Sequence, residues 1–403
     1  MSDPTRQALR ERFAPVFNQI AAGAVARESE RQLAHEAVAL LADSGFTAVR
    51  VPVKFGGSGA SISQFFDLLT RLGEADSNLV QALRAHFTSV ESFLQADEAA
   101  QARWLPRIVA GEIFGNATTE KGNQPGQNNT TLFEDGGQLW LEGTKFYSTG
   151  SLYADWISVS ADRESGSGVR VIVHRDDAGV GRLDDWDGFG QRLTASGTTL
   201  FTRVLVDPAN VQDHSRESLP EVFTSYVQLV LLAALTGIAR AVRRDAVEYV
   251  QGRTRTFDHG VGDSPQRDPL VEETVGRLGA KVFGVEAALR AASEQLENTL
   301  SLENSGILDA ETAAELHFNV AQAQLLIGEA VPEIATQLFE VGGASAVSES
   351  RRLDRHWRNA RVIASHNPLI YRAREIGQHL ISGDANIHVV YVGTAKQNTR
   401  SNA

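Results

Sequence analysis

Cysteine is missing from all 403 residues. Its absence excludes disulfides, thiolate zinc sites, iron–sulfur clusters and cysteine nucleophiles. Positive charge is also in short supply: 38 Lys and Arg face 50 Asp and Glu, for a formal charge of −12. No long basic stripe offsets this balance, so nucleic acid and anionic membrane surfaces are not expected partners. Long apolar runs are lacking too. The most apolar stretch, residues 227–239, is interrupted by Gln228 and Thr236. It falls short of the roughly 20 residues that span a bilayer, and it reads as a buried helix. Residues 1–22 carry Asp3, Arg6, Arg10, Glu11 and Arg12 without an apolar core, so no signal peptide is expected and the cytoplasm is the expected location.

Several motifs are absent as well. Gly56-Gly-Ser-Gly59 lacks the third glycine and the strand context of a dinucleotide fingerprint. There is no P-loop, no HExxH and no GxSxG elbow. None of the ten histidines forms an i, i+4 pair around a carboxylate, and His379 and His388 stand nine apart, so no metal site is expected.

What is present falls into three blocks. Residues 1–115 read helical, with Val38, Leu41, Leu69, Leu72, Leu79, Leu83 and Phe87 on apolar faces. Residues 52–59 read as a Gly/Pro loop, and residues 98–111 as a short helix ending in glycine. In residues 116–215, short apolar runs alternate with turn residues, as in 139–141, 156–160, 169–174 and 200–206. That spacing predicts a middle domain of antiparallel strands rather than βαβ units. Residues 216–403 are helical again. Val275, Leu278, Val282, Val285 and Leu289 step by three and four, as do Leu316, Val320, Ala323, Ile327 and Ala330, which predicts a four-helix bundle. Residues 302–309 read as a bend between two of its helices.

Three places invite chemistry. Asn116, Thr118, Thr119, Glu120, Asn123, Asn128, Asn129 and Thr130 form a polar run that either binds a polar cofactor edge or is a solvated loop. Lys145, Tyr147, Ser148 and Thr149 stand at a strand end, where a ring beside hydroxyl donors suits a flat heterocycle. Arg351, Arg352, Arg355, His356, Arg358 and Arg361 form a local basic run, which suits either a phosphate or a salt-bridged subunit surface. Just after it, His366-Asn367-Pro368 sits at a helix break, where the histidine either faces a cleft or is structural.

Taken together, these features resemble the acyl-CoA dehydrogenase superfamily over almost the whole chain. The resemblance rests on Gly45-Phe-Thr-Ala-Val-Arg-Val-Pro-Val-Lys-Phe-Gly-Gly-Ser-Gly59, on Arg71-Leu-Gly-Glu-Ala-Asp76, and on Glu142-Gly-Thr-Lys-Phe-Tyr-Ser-Thr-Gly150. It extends to Phe189-Gly-Gln-Arg-Leu-Thr-Ala-Ser-Gly-Thr198 and Val206-Asp-Pro208. It implies an α+β fold: an N-terminal helical domain, a middle β-domain and a C-terminal bundle.

Departures from the family pattern bear on function. Where dehydrogenases of this family place a catalytic glutamate, the chain reads Ile363-Ala-Ser-His-Asn-Pro-Leu-Ile370, and Glu375 nearby does not match. The Arg-x-x-Phe-Gly signature is altered to Arg253-Thr-Arg-Thr-Phe-Asp258. These changes resemble the branch of flavin-dependent monooxygenases typified by dibenzothiophene monooxygenase, with Arg84-Ala-His86-Phe87 and His366 matching its two histidines.

The resemblance implies a homotetramer that uses reduced FMN from a separate flavin reductase, with FAD the other flavin left open. It implies oxygen transfer to a small organosulfur or amine substrate through a C4a-(hydro)peroxyflavin. His86, His366, Ser148 and Asn116 are the implied catalytic residues, with the histidines managing protons. Tyr147, Thr118, Thr149 and Asn367 are expected at the flavin, and Arg255 and Arg355 at its phosphate. Two competitors remain: an FAD-dependent acyl-CoA dehydrogenase with a displaced base, and a catalytically silent scaffold.

Overall fold

A computed structural model describes residues 4–121, 128–213 and 221–383. Asn123, His388 and the expected boundary at 215 lie outside them. The described chain divides into two compact units, a helical one (4–111, 187–194 and 221–383) and a sheet one (112–121, 128–186 and 195–213).

The helical unit begins with α1 (Arg6–Glu30), α2 (His35–Asp43), α3 (Ile62–Ala75), α4 (Ser77–Ala82), α5 (Arg84–Leu94) and α6 (Glu98–Val109). It continues with α7 (Glu221–Gln251), α8 (Pro269–Asn304), α9 (Ala310–Gln337), α10 (Asp354–Ala364) and α11 (Leu369–Ser382). Local chemistry sets the ends. Ser61 and Gln64 form a capping box on α3, and Asp268 and Asp309 accept the first amides of α8 and α9. The bend expected at 302–309 is the connection between α8 and α9.

The apolar stripes face the core as their spacing predicts. Leu278, Val282, Val285 and Leu289 are buried on α8, and Leu316, Val320, Ala323 and Ile327 on α9. Helix α1 packs on α3, α11 packs on α9, and α3 crosses α7 backbone to backbone. A Cβ on Gly237 would lie 2.4 Å from the Gly73 carbonyl carbon, so only glycine permits that crossing. Around it, Phe13, Phe46, Phe65, Phe87 and Tyr226 stack or meet edge-to-face with centroids 5.0–6.1 Å apart. Such pairs add roughly 0.5–1.5 kcal/mol each beyond their buried area. Helix α7 is long and apolar enough to cross a membrane, yet 78% of its most apolar window is buried against neighbouring helices.

The sheet unit contains β1 (Phe114–Ala117), β2 (Thr131–Asp135), β3 (Gln138–Lys145), β4 (Trp156–Arg163), β5 (Gly168–His174), β6 (Val180–Arg182), β7 (Thr199–Val206) and β8 (Val211–Asp213). Their order is β6-β7-β3-β2-β4-β5-β8, with β1 also on β4. Strand β2 turns into β3 through Gly136-Gly137, both at positive φ, as a two-residue hairpin demands. The sheet is mixed rather than purely antiparallel. Strands β1 and β2 both run parallel to β4, one along its first half and the other at its end. Local hairpin signals carry no information about such a crossover. Leu132, Leu141, Ile157, Val159, Val171, Val173, Phe201 and Val204 form the core of this unit.

Candidate functional site

In the sheet unit, the candidate residues gather around the ends of β1 and β3. Asn116 lies on β1 opposite Ser158, and its amide reaches the Thr149 carbonyl at 3.5 Å. Ser148 is fully buried, with its N–H donated to the Gly197 carbonyl at 2.9 Å. The Asn116 Oδ1 and Ser148 Oγ atoms are buried without a hydrogen-bond partner. Buried polar atoms are ordinarily satisfied, and an orphan costs about 1–3 kcal/mol. The two orphans are linked through the Ser148–Thr149 backbone.

Tyr147 adds an aromatic face there. It sits at φ +56°, a backbone region costly for a non-glycine residue. The ring is 49% exposed and meets Trp186 edge-on, with centroids 6.0 Å apart. Thr149 Oγ1 lies 2.9 Å from Ser196 Oγ. Thr118 is exposed, and its carbonyl accepts from Lys145 Nζ at 3.3 Å. Lys145 is itself structural: it is fully buried and donates to Glu120 Oε1 at 2.6 Å and Asn128 Oδ1 at 3.0 Å. Burial would raise the Glu120 carboxyl, but hydrogen bonds from Lys145, Asn129 and Thr130 hold it below its usual range.

In the helical unit, His366 follows the end of α10 and receives a hydrogen bond from the Arg84 guanidinium, 3.3 Å from Nη1 to Nε2. Arginine can only donate, so Nε2 is the acceptor and the ring proton belongs on Nδ1. That Nδ1 is buried and unpartnered. Burial first, then the Arg84 charge, lowers the His366 pKa to about 3. Asn367 pulls weakly the other way, although its amide is given to Gln228 Oε1 at 2.8 Å and makes no hydrogen bond of normal geometry to Nδ1. At neutral pH the ring is therefore a neutral N–H donor. It is not an imidazolium acid.

His86 occupies different surroundings. It is fully buried in α5, its ring 5.5 Å from that of Phe87. A carbonyl can only accept, so Nε2–H donates to Thr47 O at 3.0 Å and ties α5 to the loop after Phe46. Among the sequence candidates, His366 therefore meets Arg84 rather than His86. Arg84 had figured only as a flank of the histidine motif. Its signal was an arginine opening an apolar helix, with no acidic residue closer in sequence than Asp76 or Glu91.

The two phosphate candidates also differ. Arg355 is an internal cation: it donates to Asp245 Oδ2 at 2.9 Å and to the Arg352 carbonyl at 2.9 Å. Its described partners already lie within the fold. His356 Nε2 joins the same carboxylate at 2.7 Å, and Arg244 takes its other oxygen at 2.8 Å. Arg255 is exposed on the loop after α7 and makes no ion pair among the described residues. Glu375, the carboxylate nearest His366 in the downstream sequence, is paired with Arg372 at 2.9 Å. No cluster of metal-ligating side chains occurs among the described residues.

Helices, a mixed sheet and further long helices, with a neutral histidine after α10, define an acyl-CoA dehydrogenase-like architecture that lacks the usual carboxylate at that point. Comparison with known proteins agrees. The family models for the acyl-CoA dehydrogenase N-terminal and C-terminal domains match residues 2–112 and 229–369, and the chain belongs to this superfamily. Its similarity runs to monooxygenases. It is 27% identical to dibenzothiophene monooxygenase of Rhodococcus qingshengii, covering 84% of this chain and 85% of that one. The FMN-bound crystal structure of TdsC from Paenibacillus sp. A11-2 superposes with a TM-score of 0.84 at 26% identity, covering 92% and 97% of the two chains. Methanesulfinate monooxygenase MsuC of Pseudomonas fluorescens gives a TM-score of 0.84 at 26% identity, covering 93% and 97%.

Proposed function

We propose that this chain is a reduced-flavin-dependent monooxygenase that places one oxygen atom of O2 on a small organosulfur substrate. The observation that carries this reading is the neutral His366, with its free Nδ1–H, where a dehydrogenase of this superfamily needs a carboxylate base. A neutral imidazole donor suits orienting and hydrogen-bonding an oxygen-bearing group, whereas removing an α-proton demands a base. The displaced-base alternative loses its nearest downstream candidate, because Glu375 is neutralised by Arg372.

The residues present fit a flavin. An isoalloxazine offers N–H and C=O edges on a flat apolar body. Asn116 Oδ1 and Ser148 Oγ are a buried acceptor and a buried hydroxyl without partners, and Tyr147 is a half-exposed ring held in a strained backbone. These three would hold the ring system, with Thr118 and Thr149 beside them, while Asn367 orients the turn that carries His366. Arg255, uncommitted within the fold, would take the phosphate. When bound, reduced FMN supplies the two electrons that turn the second oxygen atom of O2 into water. The chain's own task is to hold the flavin edge, keep its surroundings apolar and offer His366 Nδ1–H as a fixed donor. In this reading His86 is a positioning residue that fixes α5.

A separate flavin reductase would supply the reduced cofactor. We also propose a cytoplasmic homotetramer with the segments 1–115, 116–215 and 216–403 as its three building blocks. Support for assembly comes from α8, where Gly276, Gly279 and Gly284 leave open space and Phe283 is 65% exposed. The test is aerobic turnover of enzyme with photoreduced FMN under ¹⁸O2 and a panel of thioethers, sulfones, sulfinates and amines. One ¹⁸O atom in a sulfur product supports the reading. Hydrogen peroxide alone with every substrate and with both FMN and FAD defeats it, as does anaerobic bleaching of bound FAD by an acyl-CoA.

A further inference from the structure

Arg84 raises a question that flavin chemistry alone does not answer. It is the first residue of α5, where the helix dipole disfavours a cation. No carboxylate pairs with it among the described residues, and its one described side-chain hydrogen bond goes to the neutral His366. Arg50 in the same unit is the contrast: it is matched by Glu91 at 2.6 Å. Arg84 is half-buried, and that desolvation lowers its pKa to about 10. Leaving such a cation uncompensated is costly unless something pairs with it.

Two sets of donors meet here. Arg84 spends one N–H on His366 and keeps the rest of its guanidinium fork. His366 keeps Nδ1–H. Neither side chain brings an acceptor, so the complementary ligand is rich in acceptors and negatively charged. A neutral thiophene or thioether offers no oxygen and no charge to this pair. A sulfinate offers two oxygens at a spacing a guanidinium can grip, and a lone pair on sulfur that still reacts.

We propose that Arg84, with His366 beside it, recognises the anionic head of the substrate, and that the substrate class is a small organic sulfinate; this rests on the monooxygenase reading. The reaction balances as R–SO2⁻ + O2 + FMNH2 → R–SO3⁻ + FMN + H2O. The sulfur lone pair forms the new S–O bond as the O–O bond breaks. Sulfur gives up two electrons and the flavin two, and the flavin's two protons leave in water. The product keeps its charge, so a sulfonate is also expected to bind as a competitive inhibitor.

The experiment compares wild type with Arg84→Met and Arg84→Lys, each first checked by thermal unfolding. Turnover with photoreduced FMN is measured on methanesulfinate and on methyl phenyl sulfide, and binding of methanesulfonate is measured by calorimetry without flavin turnover. The expected result is a wild-type preference for the sulfinate. Arg84→Met should cut its kcat/KM by about 100-fold, at least tenfold more than it cuts that of the sulfide, which also feels the lost hydrogen bond to His366, with partial rescue by Lys. Sulfonate binding should weaken in parallel. Equal losses on both substrates, or a Met variant that binds sulfonate like wild type, would overturn the proposal. If no substrate is oxygenated, the monooxygenase reading fails, while the sulfonate titration still decides whether Arg84 holds an anion.

Discussion

The helical unit contains two arginine–histidine pairs that invite comparison. In one, Arg355 and His356 converge on Asp245, and Arg244 closes the other carboxylate oxygen. In the other, Arg84 meets His366 and pairs with no carboxylate among the described residues. The first group is complete within the chain, with each charge answered at 2.7–2.9 Å. The second leaves a half-buried cation without a carboxylate among the described residues and a buried ring N–H without a partner. The same residue types thus serve the fold in one place and await a ligand in the other, and the carboxylate makes the difference.

The largest expected effect comes from breaking the complete pair. Burial alone would raise the Asp245 carboxyl, but the His356 hydrogen bond and the Arg355 and Arg244 guanidiniums hold it well below its usual range. Asp245→Asn strands two arginines and should cost about 3–5 kcal/mol of stability by denaturant titration. A depressed carboxyl stabilises fully above its unfolded pKa, near 4, and that contribution fades as pH falls towards the folded value. The wild type should therefore lose more stability than the Asn variant when acidified below about pH 4. Parallel acid curves for the two would refute this account of the cluster.

Next comes the open pair. His366→Gln keeps an N–H donor but misplaces it, and His366→Ala removes it. We expect about a 100-fold fall in coupled product formation for Ala, with a smaller fall for Gln and more hydrogen peroxide released per flavin oxidised. Folding should change little in either. Unchanged coupling in the Ala variant would remove His366 from the chemistry.

How much of this was legible in the sequence differs between the two pairs. The fold was largely legible because its signals are local. Steps of three and four placed Leu278, Val282, Val285 and Leu289 in the core, and Gly136-Gly137 gave a hairpin. The parallel pairing of β1 and β2 with β4 was not, because nothing in a strand's own residues names a distant parallel neighbour. The partner of Arg355 was hidden for the same reason: Asp245 lies 110 residues away. His86 and Arg84 are two apart on α5, so they face different sides of the helix. A motif match singles out the histidine, and only packing shows that the arginine is the one that meets His366.

A smaller effect is expected in the sheet unit. Ser148 Oγ has no partner, so Ser148→Ala removes an unsatisfied group and should leave stability unchanged or slightly higher. If the hydroxyl is kept for flavin, equilibrium affinity for FMN should fall about tenfold, or about 1.4 kcal/mol. Lost stability with unchanged flavin affinity would mean that the hydroxyl serves the fold.

The smallest effect is the sharpest test of the comparison, because one residue breaks its rule. His317, on α9, is buried with neither ring nitrogen hydrogen-bonded, yet none of the candidate site residues stands near it in sequence. Burial first, then the Arg372 charge, lowers its pKa to about 4. Between that value and the unfolded value near 6.5, the unfolded chain binds a proton that the folded chain refuses, so stability falls as pH falls. His317→Leu keeps the volume and removes the titration. It should fold at least as well as wild type and flatten the pH dependence by on the order of 0.5 kcal/mol between pH 7 and pH 6. Coupled oxygenation should not change, since Arg372 is already answered by Glu375 and no uncompensated cation sits beside His317. If activity drops instead, an unpartnered buried histidine marks function even without an open charge. If it holds, the open charge of Arg84 is what separates a site from a packing defect.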